Sequence, residues 1–304
     1  MRRVRELQRE GGLTLPLPGH GNTPRRHEML AQLAREDLSI ARIAEAHTDA
    51  LAILAEGGRT GRHDCLYGVW ASDGPDGRLE VTGLPDGEWR LDGLKQYCTG
   101  ASFLDRALIS AHGEDGLRLL EVPLSLPGII VHSSNWATPA LADTATGPVG
   151  FDAVVLPAAS MIGHNNWYLE RPGFWHGAVG PAACWAGGAM SLIEAAKRLN
   201  RKDPHSRAQV GALEAIGWGL QALLVQSGSD IDGDPADVHG ARRRRALMLR
   251  HLIERWCTEV MDRFGRAAGP QLLAFDNQVI RQYAALTVYI RQCHAERDLA
   301  SIPE

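Results

Sequence analysis

Two side chains of one predicted strand, Tyr97 and Thr99, are the first candidates for binding a ligand. Successive side chains of a β-strand point to opposite faces, so residues two positions apart share a face. The ring of Tyr97 and the hydroxyl of Thr99 would then address one ligand. The alternative is structural, with Tyr97 packed inside a sheet domain and Thr99 present as a good strand former.

His176 is the side chain best suited to take up a proton at neutral pH, because an imidazole titrates near neutrality. It ends a polar and aromatic stretch, residues 164–176, that joins two predicted regions. The alternative is a loop histidine that caps the start of the next helix. His294 and Glu296 are further candidates for a base, although Glu296 equally suits an ion pair with Arg297 at an exposed helix end.

Other common site signatures are missing from the sequence. The five cysteines are dispersed and form no CxxC pair, which argues against a disulfide framework and a zinc site. The aspartates between Asp230 and Asp237 resemble a calcium loop, but Pro235 and Ala241 stand where such a loop needs glycine and a bidentate glutamate. No GxGxxG, P-loop, HExxH or GxSxG motif supports a Rossmann fold, a nucleotide hydrolase, a zinc protease or an α/β-hydrolase.

The composition indicates an ordinary globular protein. With 304 residues, 44% of them hydrophobic, the chain can bury a substantial core in two or three compact units. A net charge of -4 gives no electrostatic reason to expect a nucleic acid or an anionic membrane as partner. The run Arg242–Arg245 suits a solvated helix face or a grip on phosphates. The sequence has no apolar run of about 18 residues, so we expect a cytoplasmic protein.

The spacing of apolar residues changes twice along the chain. Helical spacing between Thr23 and Glu56 predicts a long helix or a helical pair. Short alternating runs separated by Gly- and Pro-containing turns between Cys65 and Pro157 predict an antiparallel sheet domain, closed or folded on itself. After Gly173 helical spacing returns, and four helices are predicted over Ala178–Leu199, Ser206–Gln226, a segment around residues 246–264, and Asn277–His294.

The predicted fold class is α+β and multi-domain, with N-terminal helices, a central antiparallel β-barrel-like domain and a C-terminal four-helix bundle. The predicted boundaries are residues 1–60 for a shortened N-terminal helical segment, 61–160 for the β domain and 161–304 for the helical bundle.

Three segments of the sequence resemble the acyl-CoA dehydrogenase family. Trp89–Ala101 is similar to the family's strand motif, a Gly-x-Lys-x-aromatic-x-Thr/Ser-x-Gly core whose residues touch a flavin. Val69–Gly74 resembles a reduced form of the family's flavin loop, with Ser72 at the threonine position and Asp73 at the glutamate position. Val149–Pro157 is similar to the strand that leaves the family's β domain.

The resemblance implies a flavoenzyme that oxidises the α,β bond of an acyl thioester or related substrate, with FAD as the hydride acceptor. It implies that Ser72, Tyr97 and Thr99 contact the flavin. Arg201 takes the place of an arginine that holds the adenine half, and His176 becomes the tentative catalytic base. The implied substrate is an acyl-CoA or a similar small molecule. We expect a homodimer or homotetramer without a nucleic-acid or membrane partner.

The resemblance runs from about Pro24 to the C-terminus, with three departures. The N-terminal helical region is about half the family's usual length. The adenine-binding element Arg-x-Thr-Phe-Gly reads Arg201–His205 here, and Asp203 within it would repel a pyrophosphate. Residues 290–292, Ile-Arg-Gln, lack the glutamate that abstracts the α-proton. Two alternatives therefore stay open: a non-catalytic homologue acting as a binding or assembly partner, and a flavin-dependent monooxygenase on the same scaffold, since those relatives also lack the glutamate.

Overall fold

The structure, a computed structural model, describes residues 2–75, 77–132 and 136–302. These residues divide into two compact units. The first, called the sheet unit, lies within Met1–Thr14, Ala46–Ala137 and Ala142–Phe174, and the second, called the helical unit, lies within Leu15–Glu45, Thr138–Leu141 and Trp175–Glu304. The N-terminal helices are shared between the two units, so this grouping differs from three consecutive segments.

The described residues form eleven α-helices. They are α1 (Arg2–Arg9), α2 (Thr23–Glu36), α3 (Leu38–Glu56), α4 (Trp167–Glu170), α5 (Pro172–Gly177), α6 (Val179–Arg198), α7 (Pro204–Gly233), α8 (Arg242–Ala268), α9 (Pro270–Phe275), α10 (Asn277–Tyr289) and α11 (Glu296–Ala300). The predicted stretch from Thr23 to Glu56 is a helical pair, because Asp37 adopts an extended conformation between α2 and α3. The Asp37 carboxylate accepts hydrogen bonds from the first amides of α3.

The helix predicted to end near Gln226 continues as α7 to Gly233. Gly228 does not terminate it, because this glycine allows a neighbouring helix to approach closely. A Cβ at position 228 would lie 2.5 Å from the backbone nitrogen of Pro24 in α2. Asp232 also contacts α2, since its carboxylate accepts hydrogen bonds from the amide and the hydroxyl of Thr23. Both residues therefore hold α2 against α7.

Eight strands of the described residues form one sheet. They are β1 (Tyr67–Trp70), β2 (Leu79–Gly83), β3 (Trp89–Cys98), β4 (Arg106–Gly113), β5 (Gly116–Pro123), β6 (Ile129–Val131), β7 (Gly147–Leu156) and β8 (Met161–Ile162). The hydrogen-bonded order is β6-β7-β3-β2-β4-β5-β8, and β1 pairs with β4. Most pairs are antiparallel, as predicted, but β1 and β2 run parallel to β4. The sheet is therefore mixed, and the predicted α+β class is confirmed.

The core of the sheet unit places the loop that follows β1. Ile53, Leu108, Leu119 and Ile162 are at most 1% exposed and pack together, and each such side chain contributes about 1.5–3 kcal/mol by its burial. Within this core β1 runs parallel to β4, with Trp70 opposite Ile109. The loop after Trp70 therefore begins beside the residues that follow Ile109 in β4.

Candidate functional site

Tyr97 interrupts the regularity of β3. The register of β3 against β7 shifts between Lys95 and Cys98, and Tyr97 has a φ of 54°, in the left-handed region. That conformation costs an L-residue about 1–2 kcal/mol. The Tyr97 side chain is 56% exposed, so burial of its ring does not offset this cost. A strained backbone that displays an aromatic ring is typical of ligand-binding sites.

Thr99 lies just after the end of β3 and is only 6% exposed. Its hydroxyl accepts a hydrogen bond from the Thr146 hydroxyl, at 3.2 Å. Its carbonyl oxygen accepts one from the indole nitrogen of Trp70, at 3.0 Å. The predicted regular alternation of Tyr97 and Thr99 on one strand face is wrong, because the register shift and the end of β3 separate an exposed ring from a buried hydroxyl.

Ser72 is exposed in the loop after β1, and the adjacent Asp73 anchors this loop. The buried ammonium group of Lys95 donates to Asp73 Oδ1 at 2.8 Å, and His112 Nε2 donates to Asp73 Oδ2 at 2.7 Å. Lys95 also donates to the backbone oxygen and the hydroxyl of Ser110, both at 2.9 Å. We call these residues the Lys95 cluster: Asp73, Lys95, Ser110 and His112.

The Lys95 cluster contains an ionised pair. For Asp73, burial alone would raise the pKa, but hydrogen bonds from Lys95 and His112 outweigh burial and the pKa is lowered. Burial lowers the pKa of the Lys95 ammonium, and the hydrogen bond to Asp73 opposes that change. Lys95 has no exposed side-chain surface, whereas the Asp73 side chain is 38% exposed. The buried cation therefore holds a loop whose outer surface still reaches solvent.

The sequence motif contained Lys95, but sequence reasoning did not identify its role or its partners. Ser110 and His112 lie on β4, and the Ser110 hydroxyl donates to the backbone oxygen of Ala71 at 3.0 Å. Lys95 did not stand out locally, because the same strand also carries Arg90, Asp92 and Gln96. The cluster connects β3, β4 and the loop after β1. It thereby fixes the backbone on either side of Ser72, and it anchors β3 at Lys95, two residues before Tyr97.

The helical unit uses His176 as a structural donor. His176 lies in α5, is 5% exposed, and places Nε2 at 2.9 Å from the carbonyl oxygen of Pro235. A carbonyl oxygen only accepts, so Nε2 carries the hydrogen and donates it. That nitrogen therefore has no lone pair with which to take a proton from a substrate. The predicted role of His176 as a base finds no support in this bond.

Arg201 and its neighbours are also engaged by the helical unit's own backbone. Arg201 is exposed and donates to the carbonyl oxygen of Ala268 at 3.2 Å. Asp203 caps α7 by accepting a hydrogen bond from the Ser206 amide at 2.9 Å. This bond lowers the pKa of Asp203, so a negative charge stands at the start of α7. The charge would oppose a phosphate there.

The segment that matches the family's glutamate region contains no carboxylate in this chain. Ile290 is fully buried and Arg291 lies 3.0 Å from the carboxylate of Glu254. His294 lies 3.4 Å from the Asp298 carboxylate, and Glu296 begins α11. The structure thus places the predicted flavin residues Ser72, Tyr97 and Thr99 in the sheet unit. It places the predicted base and the adenine-binding arginine in the helical unit.

No protein-family model and no curated protein matches the sequence. Several solved structures match nearly the whole chain. Methanesulfinate monooxygenase MsuC from Pseudomonas fluorescens has a TM-score of 0.82 and 18% identity, covering 98% of this chain and 87% of that one. TdsC from Paenibacillus sp. A11-2, in complex with FMN and indole, has a TM-score of 0.84 and 17% identity, covering 98% and 88%.

A third similar structure is KijD3 in complex with FMN and a dTDP-linked amino-keto sugar, with a TM-score of 0.82 and 17% identity over 99% of this chain and 84% of that one. Identities this low establish the fold and not the activity. The acyl-CoA dehydrogenase-like fold is therefore confirmed over almost the full length of the chain.

Proposed function

We propose that this protein is a flavin-dependent monooxygenase acting on a small organic molecule, with the flavin bound against Ser72, Tyr97 and Thr99. The observation that carries the proposal is Tyr97, an exposed aromatic ring held in a strained backbone conformation at a break in β3. Strain of this kind persists only where the surrounding structure enforces it. The Lys95 cluster anchors β3 two residues before Tyr97, at the start of the register shift that contains it.

The residues of the sheet unit fit the head of a flavin. An isoalloxazine needs an aromatic or apolar wall and a few hydrogen-bonding groups at its edges. The Tyr97 ring supplies the wall. The Thr99 hydroxyl accepts a hydrogen bond from Thr146 and keeps its own hydrogen to donate at the flavin edge. The exposed Ser72 adds a third hydroxyl on a loop that Asp73 anchors. A bound, reduced flavin supplies two electrons to dioxygen, so that one oxygen atom enters the substrate and the other leaves as water.

The helical unit supports oxygen insertion over oxidation of an acyl thioester. The dehydrogenase reaction needs a carboxylate base, and residues 290–292 provide none. His176 donates through Nε2 to Pro235 and does not present that nitrogen as a base. A monooxygenase makes no such demand, because it does not abstract an α-proton from the substrate. MsuC is a monooxygenase, which agrees with this choice.

We favour FMN over FAD as the flavin. The adenine half of FAD would bring a pyrophosphate toward the family's adenine-binding element, where this chain places the ionised, helix-capping Asp203. Like charges at that point oppose binding. TdsC and KijD3 were both solved with FMN. Their other ligands, indole and a nucleotide-linked sugar, lead us to expect a small molecule with an oxidisable heteroatom or ring.

The proposal is tested by following labelled oxygen. The full-length protein is supplied with FMNH2, ¹⁸O-labelled dioxygen and a panel of sulfinates, indoles and amino sugars, and the products are analysed by mass spectrometry. We expect one labelled oxygen atom in a product, and loss of that product with Tyr97→Ala. An acyl-CoA converted to its enoyl product without oxygen incorporation would replace the proposal with a dehydrogenase. Failure to bind FMN and FAD would favour a non-catalytic binding or assembly partner.

A further inference from the structure

Three threonine hydroxyls form a chain at the end of β3 in the sheet unit. Thr144 Oγ1 lies 2.8 Å from Thr146 Oγ1, and the Thr146 hydroxyl donates to Thr99 Oγ1 at 3.2 Å. Thr144 and Thr99 are buried, whereas Thr146 is half-buried. We call these three residues the threonine chain. It ends at Thr99, one of the residues proposed to contact the flavin.

The single hydrogen of each hydroxyl fixes the direction of the threonine chain. A threonine hydroxyl donates one hydrogen bond and accepts up to two. The hydrogen of Thr146 is used on Thr99, so in the 2.8 Å contact Thr144 is the donor and Thr146 the acceptor. Thr99 accepts at the end of the chain. Its own hydrogen therefore points away from Thr146, and the described residues offer that hydrogen no acceptor.

The backbone around the threonine chain is held on both sides. The indole nitrogen of Trp70 donates to the carbonyl oxygen of Thr99 at 3.0 Å, and the Gly100 amide donates to the carbonyl oxygen of Thr144 at 2.8 Å. The segment that carries Thr144 and Thr146 thus runs beside Thr99, just beyond the pairing of β3 with β7. The sheet unit itself therefore sets the positions of the three hydroxyl oxygens.

Ala145 connects Thr144 and Thr146 in a strained conformation. Its φ is 46°, in the left-handed region that residues with a Cβ rarely adopt. Side chains two residues apart in a regular strand are separated by about 6.6 Å, whereas these two hydroxyl oxygens are 2.8 Å apart. The turn at Ala145 brings the hydroxyls within hydrogen-bonding distance, at a cost in free energy. Strain of this kind clusters at ligand-binding sites.

We propose that Thr146, held by Thr144, is a positioning residue that keeps the Thr99 hydroxyl as a donor toward a hydrogen-bond acceptor of the bound flavin. The inference rests on the proposed flavin site. An isoalloxazine ring carries nitrogen and oxygen acceptors along its edge. A hydroxyl that rotates freely would have to be ordered when the flavin binds, at a cost in entropy. The hydrogen bond from Thr146 orients the hydroxyl beforehand.

The threonine chain also restricts which ligand group can lie against Thr99. A free hydroxyl can turn to face either a donor or an acceptor. With Thr146 donating to it, Thr99 has one hydrogen left to place, and only an acceptor satisfies that hydrogen. A ligand that presented only an N–H group there would leave a buried donor unpaired, which is costly. The chain therefore selects for an acceptor at this point of the site.

The experiment is a double-mutant cycle on FMN affinity in the full-length protein. Thr99→Val, Thr146→Val and the double variant are titrated with FMN, because valine has nearly the shape of threonine and lacks the hydroxyl. We expect Thr99→Val to weaken binding about tenfold, the effect of one hydrogen bond, and Thr146→Val to weaken it about threefold. The double variant should bind no more weakly than Thr99→Val, since Thr146 acts through Thr99.

A conservative variant and a distant control complete the experiment. Thr146→Ser keeps the hydroxyl and should retain the affinity and the visible spectrum of the flavin bound to the wild type. Thr146→Val should shift that spectrum in the same direction as Thr99→Val. Thr82→Val, at an exposed position on β2, is the matched control and should change neither quantity. Urea denaturation separates a loss of stability from a loss of binding.

The possible failures of the inference and of the proposed function differ. Wild-type affinity and spectrum in Thr146→Val would overturn the positioning role and leave the flavin site in place. A defect of Thr146→Val that is equally large with and without the Thr99 hydroxyl would also overturn it, because Thr146 would then act independently of Thr99. A wild-type protein that binds no flavin would end both the inference and the proposed function.

Discussion

The sequence predicts both Tyr97 in the sheet unit and His176 in the helical unit as site residues, and the structure places them in opposite environments. Tyr97 is 56% exposed, and a left-handed backbone presents its ring to solvent. His176 is 5% exposed, and its Nε2 donates to a backbone carbonyl 59 residues away in sequence. The backbone at Tyr97 exposes the ring at a cost in free energy, whereas His176 satisfies the backbone carbonyl of Pro235. Only the first has the features of a residue kept for a ligand.

Polar groups elsewhere in the two units show a similar contrast. In the sheet unit, Lys95 and His112 converge on Asp73 and brace a loop without covering Ser72. In the helical unit, Asp203 caps a helix and Arg201 binds a carbonyl. Lys95 and His112 therefore support a surface loop, whereas Arg201 and Asp203 satisfy backbone groups of their own unit.

Lys95→Met should cause the largest loss of stability in the sheet unit. Methionine keeps most of the side-chain volume but leaves Asp73 without its buried cation. We expect the free energy of unfolding to fall by about 3 kcal/mol, as when one partner of a buried pair is removed, and flavin binding to be lost. Urea denaturation measures the first effect. Lys197→Met is the control, because it breaks an ion pair with both side chains 50% exposed and should cost less than about 1 kcal/mol. Equal losses in the two variants would show that the Lys95 cluster contributes no more stability than an exposed ion pair.

The second effect concerns acid stability and compares one buried histidine from each unit. Burial lowers the pKa of His47 and of His27 to about 4. Between pH 6.5 and about 4 the unfolded chain binds more protons than the folded chain, so stability falls as pH falls through that window. Each histidine accounts for roughly 3 kcal/mol of this loss.

His47→Asn tests the acid effect in the sheet unit. His47 Nδ1 accepts a hydrogen bond from the Tyr67 amide at 3.2 Å, and an asparagine oxygen can accept the same bond without titrating. We expect a shallower loss of stability between pH 6.5 and 4, measured by denaturant unfolding at several pH values. His205→Asn, at an exposed position, is the control. An unchanged slope for His47→Asn would rule out this histidine as an acid-labile element.

Tyr97→Gly should separate stability from ligand binding. Glycine relieves a strain of about 1–2 kcal/mol and adds about 0.5–1 kcal/mol of chain entropy to the unfolded state, so stability should rise by up to about 1.5 kcal/mol. Flavin binding should weaken at least tenfold, because the aromatic wall is gone. Ala153→Gly, at a φ of 49° on β7, should stabilise similarly without altering flavin binding. Unchanged flavin affinity in Tyr97→Gly would contradict the assigned role of the ring.

The smallest expected effect is that of His176→Gln. Glutamine can still donate a hydrogen bond toward Pro235, so the free energy of unfolding should change by less than about 1 kcal/mol. Oxygen insertion should continue at a similar rate. A large fall in turnover with full flavin occupancy would instead make His176 the base that the sequence predicted.

The strands and helices could be predicted because the spacing of apolar residues is visible within each short segment of the sequence. The segment Trp89–Cys98 and the bundle helices follow directly from such spacing. Gly228 misled the prediction of α7, since a glycine that admits a neighbouring backbone cannot be told from one that ends a helix. The left-handed conformation of Tyr97 could not be predicted either, because tyrosine favours the extended conformation of strands.

The site was predictable only where a contiguous motif carried it. Ser72, Tyr97 and Thr99 came from segments that resemble a known family. The partners of Lys95 did not, because Asp73 lies 22 residues away and Ser110 lies 15 residues away. They meet Lys95 only because the sheet order is β3-β2-β4 and β1 pairs with β4. The donor role of His176 likewise depends on a carbonyl 59 residues distant.

The central claim, that the sheet unit holds a flavin, is tested most directly by an equilibrium titration of the purified protein with FMN and, separately, with FAD, followed by the visible absorbance of the flavin. We predict saturable binding of one FMN per chain, tighter than that of FAD, with a spectral shift that Tyr97→Gly abolishes and Ala153→Gly preserves. A spectrum that neither flavin perturbs at any ratio would contradict the claim.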